Sequence, residues 1–463
     1  MKTQISSSQP QIGLEIHGYL DTKEKLFCRC KNFHDMKQIN PNTNICPICC
    51  GQPGSKPMLT NESAVKKAIE IGLMLNCKPI FKPLSFQRKH YDWPDMPKGY
   101  QISMSGSHSN PTLEKGNFLG IRIREIHLEE DPAAWNPETG TIDYNRSGAP
   151  LIEIVTEPDF SNSEQVKNWL KQLVLTLSYI KAINKDAGTK ADVNVSIKNL
   201  TERTEVKNVN SIVEIAKAIE FEIKRHLNEK PVTKETRRWD SIKQKTEKMR
   251  DKEQAQDYRF IPDPDLPALK LTKQYVNEIQ KNLPESPQAK LEKIIKKHKI
   301  PKEHAEVLTS DLGIANLFEK VIEKINPITA LHWITTELKG ILNYHKKSID
   351  EVNIKHEHVT ELLQEHEKGN LTKLKTQEIL RKFIPKSFSP KEHIKSGKVS
   401  VISDKSEIEN IINKIIKDNP KPVSDYKSGN KNSINFLIGK VMQATNKRAD
   451  FQLVKKILEN KLK

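Results

Sequence analysis

The sequence predicts an α+β domain with a mixed or antiparallel sheet over residues 1–285. An all-helical region over 286–400 follows, and then a small, basic, helical tail domain over 401–463. Two observations carry the division. In the first part apolar and polar side chains alternate with period two, the mark of strands with one buried face. Beyond about residue 285 glycine becomes scarce and the apolar spacing turns helical. Charge gives a third: of the net +17, the stretch from Arg381 to Lys463 holds 19 Lys/Arg against 8 Asp/Glu.

The strand pattern starts at Gly13-Leu14-Glu15-Ile16-His17, where Leu14 and Ile16 share one face and Glu15 and His17 the other. A carboxylate and an imidazole on one strand face suit a cation or a phosphate-bearing ligand, although a solvated face has the same pattern. Next come Cys28-Arg29-Cys30 and Cys46-Pro47-Ile48-Cys49. Two close cysteine pairs across a loop can supply four thiolates to one tetrahedral ion, so Cys28, Cys30, Cys46 and Cys49 form a zinc-knuckle-like site. Cys50 is a spectator or a substitute, and Cys77 an apolar thiol. Asn61 to Leu75 reads as an amphipathic packing helix.

From Phe86 to Gln101, two prolines and a glycine exclude a regular helix. The segment reads as a stiff loop between strands that places Arg88, Lys89, Tyr91 and Lys98 near a phosphorylated, base-containing ligand. A rigid surface turn is the plainer alternative. A strand over Ile121–Leu128 runs into Glu129-Glu130-Asp131, which is either an exposed turn or a carboxylate cluster awaiting a divalent ion. Trp135 to Tyr144 reads as a hairpin turning at Pro137-Glu138-Thr139-Gly140. The apolar strand Leu151–Val155 and a helix over Glu164–Ile183 follow. Two polar-faced strands come next: Asp192–Ile197, with Asp192, Asn194 and Ser196 on one face, and Glu205–Asn210, with Glu205, Lys207 and Val209 opposite Val206, Asn208 and Asn210. A helix from Ser211 to Asn228 closes this set. Later helices are expected over Ala289–His298, Pro301–Leu312, Ile328–Tyr344 and Val359–Lys368. Two more lie within Ile434–Lys463, lined by Phe436, Val441 and Met442 and by Phe451, Val454, Ile457 and Leu458.

Composition narrows the class. Hydrophobic residues make up 36% and charged residues 29%, and no apolar run nears the roughly 18 residues of a spanning helix. Met1 to Pro10 has no apolar signal core. Six cysteines, five of them clustered, fit a reducing cytoplasm and a metal better than a disulfide framework. The basic tail points to a polyanion, most simply a nucleic acid, unless it reflects a lysine-rich genome.

Several of these stretches together resemble the B subunit of the aspartyl/glutamyl-tRNA amidotransferase. They are Gly13–His17, Arg88-Lys89 with Tyr91 to Gln101, Leu128–Asp131, Pro150–Val155, Asp192–Ser196, Glu205–Asn210 and Tyr258-Arg259-Phe260. Gly439–Met442 and Gln452–Val454 resemble the tail domain of the same family, so the likeness runs in order along essentially the whole chain. The resemblance implies ATP- and Mg²⁺-dependent phosphorylation of the side-chain carboxylate of Glu-tRNA(Gln) or Asp-tRNA(Asn), then amidation by ammonia. The amidase, or A, subunit of such enzymes supplies the ammonia, and a small third one, the C subunit, braces the pair.

By position in the family motifs, Glu15, His17, Glu129, Glu130 and Asp131 become the magnesium ligands. Glu15, His17, Glu130 and Asp192 become the catalytic group. Arg88, Lys89, Tyr91, Lys98, Glu205, Lys207 and Asn208 become the nucleotide- or substrate-binding set. Zinc at the cysteines is structural, since family members with and without it exist. Two positions depart from the family pattern: Thr189-Lys190-Ala191 stands where an arginine is usual, and Cys50 where an aliphatic residue is.

No serine/glycine-rich amidase signature is visible, which fits ammonia arriving from another polypeptide. Three rivals are weaker. A related archaeal protein of the same family carries a large insert, for which the stretch from Asp265 to Ala289 has no room. A non-catalytic zinc-containing RNA-binding protein leaves the polar strands unexplained. A zinc hydrolase needs an open metal position, which four cysteines do not leave.

Overall fold

In the computed structural model the described residues are 9–462, apart from 34–38, 92, 184–189, 252–257, 397–400 and 403–404; the side chains at 208, 250, 251, 395, 396 and 405 also lie outside them. Two compact units meet in sequence at Ser286/Pro287.

The first unit runs β1 (Pro10–Tyr19), α1 (Glu62–Met74), β2 (Lys78–Pro79), β3 (Gln87–His90), β4 (Tyr100–Ser103) and β5 (Leu113–Phe118). It continues through β6 (Ile121–Glu130), β7 (Ala134–Trp135), β8 (Ile142–Asp143), β9 (Pro150–Thr156), α2 (Ser163–Tyr179) and β10 (Lys190–Ile197). It ends with β11 (Thr204–Asn210), α3 (Ile212–Glu229), β12 (Glu235–Asp240), β13 (Lys245–Asp251), β14 (Ile261–Pro262) and α4 (Lys273–Asn282). Among the described residues, twelve strands form one sheet in the order β13-β12-β11-β10-β1-β9-β6-β4-β3-β14, with β5 also on β6 and β2 on β5. The pairings are antiparallel except β11 with β12, which α3 connects as a parallel crossover, so the sheet is mixed.

Alternation decides which face each residue takes. Ile12, Leu14 and Ile16 of β1 are buried with Ile152 and Ile154 of β9 and Val193 and Val195 of β10, beneath apolar residues of α1 to α4. Odd positions of β1 therefore face the other way. The helices start on side-chain caps: Asn61 accepts from the Ala64 N–H, Asn162 from Gln165, and Ser211 from Glu214. At one end of the main strand order β13 presents Lys245, Glu247 and Lys248; at the other end β14 is two residues long and ends in Pro262, and the two-residue β2 forms a further edge beyond β5.

Two strand readings need correction. Residues 86–101 are not one loop. Gln87–His90 and Tyr100–Ser103 pair as an antiparallel hairpin, and only 91–99 bridge them. The prolines that exclude a helix all fall within that bridge, and the flanking residues remain free to pair. In β11, Val209 does not share a face with Glu205 and Lys207. The register slips between Ala191 and Val193, with Ala191 opposite Val209 and Val193 opposite Val206. This bulge puts Val206 and Val209, three residues apart, into the same core.

The second unit is helical: α5 (Pro287–His298), α6 (Lys302–Thr309), α7 (Leu312–Val321), α8 (Pro327–His332), a π-turn (Trp333–Leu338), α9 (Lys339–Tyr344), α10 (His356–Glu367) and α11 (Lys373–Arg381). It closes with α12 (Pro390–Ser396), α13 (Lys405–Asp418), α14 (Pro420–Lys427), α15 (Ser433–Ala444) and α16 (Phe451–Leu462). The helix expected over Ile328–Tyr344 is there, widened at its middle by the π-turn. One core gathers around Phe318, Trp333 and Phe383, and another around Ile408, Leu437, Val441, Val454 and Leu458. Phe436 and Phe451 do not line the latter; they are 49% and 44% exposed. Among the described residues, no helix is long and apolar enough to cross a membrane.

Candidate functional site

The non-helical face of the sheet gathers ionisable side chains from five consecutive strands. Cross-strand register sets Glu153 of β9 opposite both His17 of β1 and His127 of β6, and Glu15 of β1 opposite Asp192 of β10. Asn194 of β10 stands opposite Glu205 of β11. Each is the polar half of an alternating strand whose other half is core.

Two clusters result. In the first, His17, Glu129 and Glu153 each bring a donor atom within 4.8 Å of the other two. His17 Nε2 lies 3.4 Å from Glu129 Oε1 and 3.8 Å from Glu153 Oε1. The other Glu153 oxygen is held by His127 Nε2 at 2.5 Å. Burial opposes charge on His17, but the Glu129 hydrogen bond and the Glu153 charge outweigh it and push the imidazole up to about 10. His127 is raised against the same burial by Glu153. Glu153 is held low although burial works the other way, because His127 and His17 flank it.

The second cluster joins Glu15, Asp192 and Glu205, again within 4.8 Å. Lys207 Nζ sits 2.6 Å from both Asp192 Oδ2 and Glu205 Oε1. Burial disfavours its charge, yet the two carboxylates keep it firmly protonated. Burial and the charge of Glu153 push the Glu15 carboxyl up, which links the two clusters electrostatically. Asn194 Nδ2 donates to Glu15 Oε1 at 3.1 Å, while its buried Oδ1 has no hydrogen-bond partner. An orphaned oxygen beside three carboxylates fits a hard divalent cation such as Mg²⁺. Two carboxylates and an imidazole in the other cluster suit a divalent ion with mixed donors.

The sequence-expected acids thus divide. Glu15, His17, Glu129, Asp192, Glu205 and Lys207 meet on this face. Glu130 does not join Glu129, because the next residue of a strand points to the opposite side; it takes Lys98 Nζ and the Ile102 N–H, the latter at 3.1 Å. Asp131 is tied to Tyr19 Oη at 2.7 Å and Arg146 Nε at 3.0 Å, with burial pushing its carboxyl up against both. Arg88 is bound to Asp263 at 2.8 Å and stacks on Tyr100 at 4.6 Å. Lys89, on the other side of β3, lies 5.0 Å over the Tyr258 ring and 5.9 Å over Tyr91, with no carboxylate in ion-pair range among the described residues. The Tyr91 hydroxyl donates to Gln101 Oε1 at 3.4 Å. The side chain of Asn208, and Thr189, lie outside the described residues.

Glu153, His127 and Asn194 were missing from the sequence-derived site. Glu153 had a readable signal, as the single charge in the apolar strand Leu151–Val155. His127 had none beyond its place in the alternation.

The cysteine site assembles as expected. The sulfurs of Cys28, Cys30, Cys46 and Cys49 lie within 4.8 Å of one another, and none is in a disulfide. Burial pushes the Cys30 thiol up to about 12, while the hydrogen bond from Cys28 brings Cys49 down to about 4. Four sulfurs clustered this closely, with Cys49 already biased toward thiolate, fit a tetrahedral Zn²⁺. Cys50 turns its sulfur to the Cys46 carbonyl at 3.0 Å, and Cys77 is buried away from the site, so both are spectators. The knuckle packs tightly: an added Cβ at Gly51 would run into the Pro97 carbonyl.

A mixed sheet with a carboxylate-lined face able to hold cations, joined in sequence to an all-helical unit, defines a two-unit α+β protein with candidate metal sites on one sheet face. Comparison with known proteins narrows this. Residues 10–277 match the family described as the GatB/GatE catalytic domain, and residues 316–462 match the GatB domain. The chain is 41% identical to the B subunit of the aspartyl/glutamyl-tRNA(Asn/Gln) amidotransferase of Methanocaldococcus jannaschii, over 97% of each chain. The B subunit of Methanopyrus kandleri is 39% identical over 98% of each, and that of Methanothermobacter thermautotrophicus 40% identical over 97% of this chain and 99% of its own. The chain belongs to the GatB family, the B subunits of glutamine-hydrolysing aminoacyl-tRNA amidotransferases.

Proposed function

We propose that this chain is the kinase and amidation component of an ATP-dependent transamidation of Glu-tRNA(Gln), Asp-tRNA(Asn) or both. The observation that carries the reading is the row of acids across β6, β9, β1, β10 and β11, with two three-donor clusters on one sheet face. The side-chain carboxylate of the esterified amino acid attacks the γ-phosphorus of ATP, and ADP leaves. Ammonia then adds to the acyl phosphate carbonyl, phosphate departs with the bond electrons, and loss of a proton leaves the amide.

In this reading His17, Glu129 and Glu153 hold one Mg²⁺, and Glu15, Asp192 and Glu205, with the Asn194 oxygen, hold another. Bound there, the ions supply positive charge against the phosphate oxygens. Lys89, held over Tyr91 and Tyr258, is the side chain best placed for a phosphate. Lys207 keeps the second cluster from excess negative charge and orients Asp192 and Glu205. Arg88 and Lys98, already engaged by Asp263 and Glu130, shape the walls. The amidase, or A, subunit delivers the ammonia and the small C subunit braces the assembly, in the cytoplasm. Zinc at the four cysteines is structural. The lysine-rich tail over 401–463 docks the tRNA backbone.

The test mixes the chain with its amidase partner, Mg²⁺, ATP, glutamine and Glu-tRNA(Gln) or Asp-tRNA(Asn), and follows amidated tRNA. A parallel arm replaces partner and glutamine with ammonium chloride. Product from wild type, lost in Glu15→Ala, His17→Ala and Glu153→Ala variants that still fold and bind tRNA, is the expected result. Absence of product in both arms, with tRNA binding intact, would overturn the reading in favour of an RNA-binding protein.

A further inference from the structure

The cysteine site has a neighbour whose charge the sequence does not explain. Lys25 is 1% exposed and ranks among the largest fully buried side chains. Its ammonium donates to the Asn44 carbonyl at 3.2 Å, the Tyr144 carbonyl at 3.4 Å and Cys49 Sγ at 3.5 Å. Among the described residues it has no carboxylate in ion-pair range. Two carbonyls and the Cys49 sulfur take its three hydrogens, but among the described residues no carboxylate offsets its charge, and an uncompensated buried charge is strongly unfavourable. Four thiolates around a divalent ion carry two net negative charges, beside this one positive charge. Gly148, at φ +80°, lets the turn after Tyr144 close over both groups; an added Cβ there would lie 3.6 Å from Cys49 Cβ and 3.7 Å from Lys25 Cδ.

We propose that Lys25 is the counter-ion of the four-cysteine zinc centre, donating a charged N–H to the Cys49 thiolate and offsetting half of the centre's net charge. Its role is positioning. The same ammonium ties the Asn44 loop and the Tyr144 turn to the metal, so both segments depend on its charge. This rests on the structural-zinc reading above.

The test uses the full chain, stripped of metal and reloaded with Co²⁺ or Zn²⁺ at one fixed pH. Wild type should show thiolate-to-cobalt charge-transfer bands equivalent to one site per chain. In Lys25→Met, loss of the charged donor should move those bands to lower energy. Zinc affinity, read by chelator competition, should fall roughly 10–100-fold, the range for an outer-shell partner. Cys30→His lowers the net negative charge of the centre by one, so in that background the Lys25→Met loss should shrink. Should Lys25→Met not fold, Lys25→Gln carries the same test, keeping a donor and dropping the charge. Unmoved bands and affinity, or an equal loss in both backgrounds, would make Lys25 a packing pin and overturn the proposal. Failure of wild type to take up thiolate-bound metal would overturn the zinc reading and this proposal with it.

Discussion

Glu153→Gln is the sharpest probe of the sheet face, because it keeps the shape of a side chain that touches both His17 and His127. Removing one partner of a buried charge pair costs about 3–5 kcal/mol when the other charge stays trapped. Here His127, held charged mainly by Glu153, can shed its proton, and His17 keeps Glu129 as its partner. The loss then reduces to an unsatisfied buried polar group, about 1–3 kcal/mol. The first unit, Met1–Ser286, unfolds with an entropy of roughly 2.1 cal/mol/K per residue, about 0.6 kcal/mol/K in all, so its Tm should drop by about 2–5 °C. Affinity for Mn²⁺ as a probe ion should fall by more than the roughly 10–100-fold that loss of an outer partner costs, whereas His127→Asn should stay within that range. Calorimetry and Mn²⁺ titration by electron paramagnetic resonance read the two effects. Wild-type Mn²⁺ affinity in Glu153→Gln, or a larger loss in His127→Asn, would refute the assignment of Glu153 as a ligand.

Other outcomes follow from the same geometry. His17 is raised from 6.5 to about 10 in the ion-free protein, so its contribution to stability is full below about 6.5 and fades as pH rises through about 10. A divalent ion must displace that proton, and Mn²⁺ affinity should climb roughly tenfold per pH unit between about pH 7 and 9 by equilibrium dialysis; a flat profile would contradict it. Stripping zinc should open Cys28, Cys30, Cys46 and Cys49 to alkylation, which mass spectrometry locates, while the loaded protein stays protected. Gly51→Ala meets both φ +67° and the Pro97 carbonyl and should cost at least about 2 kcal/mol, or about 3 °C in Tm. A melting curve superimposable on wild type would count against the knuckle's close seat on that loop.

Much of this was legible because alternation is a local property. Leu14 and Ile16 against Glu15 and His17 fixed both the core face and the polar face of β1 before any neighbour was known. The four cysteines were legible for a similar reason, since short loops bring close pairs together. What sequence could not deliver was register. Whether Glu129 or Glu130 meets His17 depends on which strand lies alongside, and the answer comes from β9 pairing with both β1 and β6. The bulge opposite Ala191/Val193 reverses side-chain parity within β11 and leaves no mark in the residues themselves. Phe436 and Phe451 misled because an apolar ring at a helix end carries no sign of which face the neighbouring helices cover. Lys25 escaped notice because nothing in a sequence marks a lysine as buried.

Two of the edges of the large sheet bear on how it can be extended. A bare strand edge is an open row of donors and acceptors, ready to pair with any extended peptide. Here one such row is guarded by the alternating charges of Lys245, Glu247 and Lys248, and the other stops after two residues at a proline that has no hydrogen to give. Neither of these two edges offers an extended peptide a long, bare row to pair with. Blunted in this way, both edges also work against strand-to-strand pairing of two copies of the chain there.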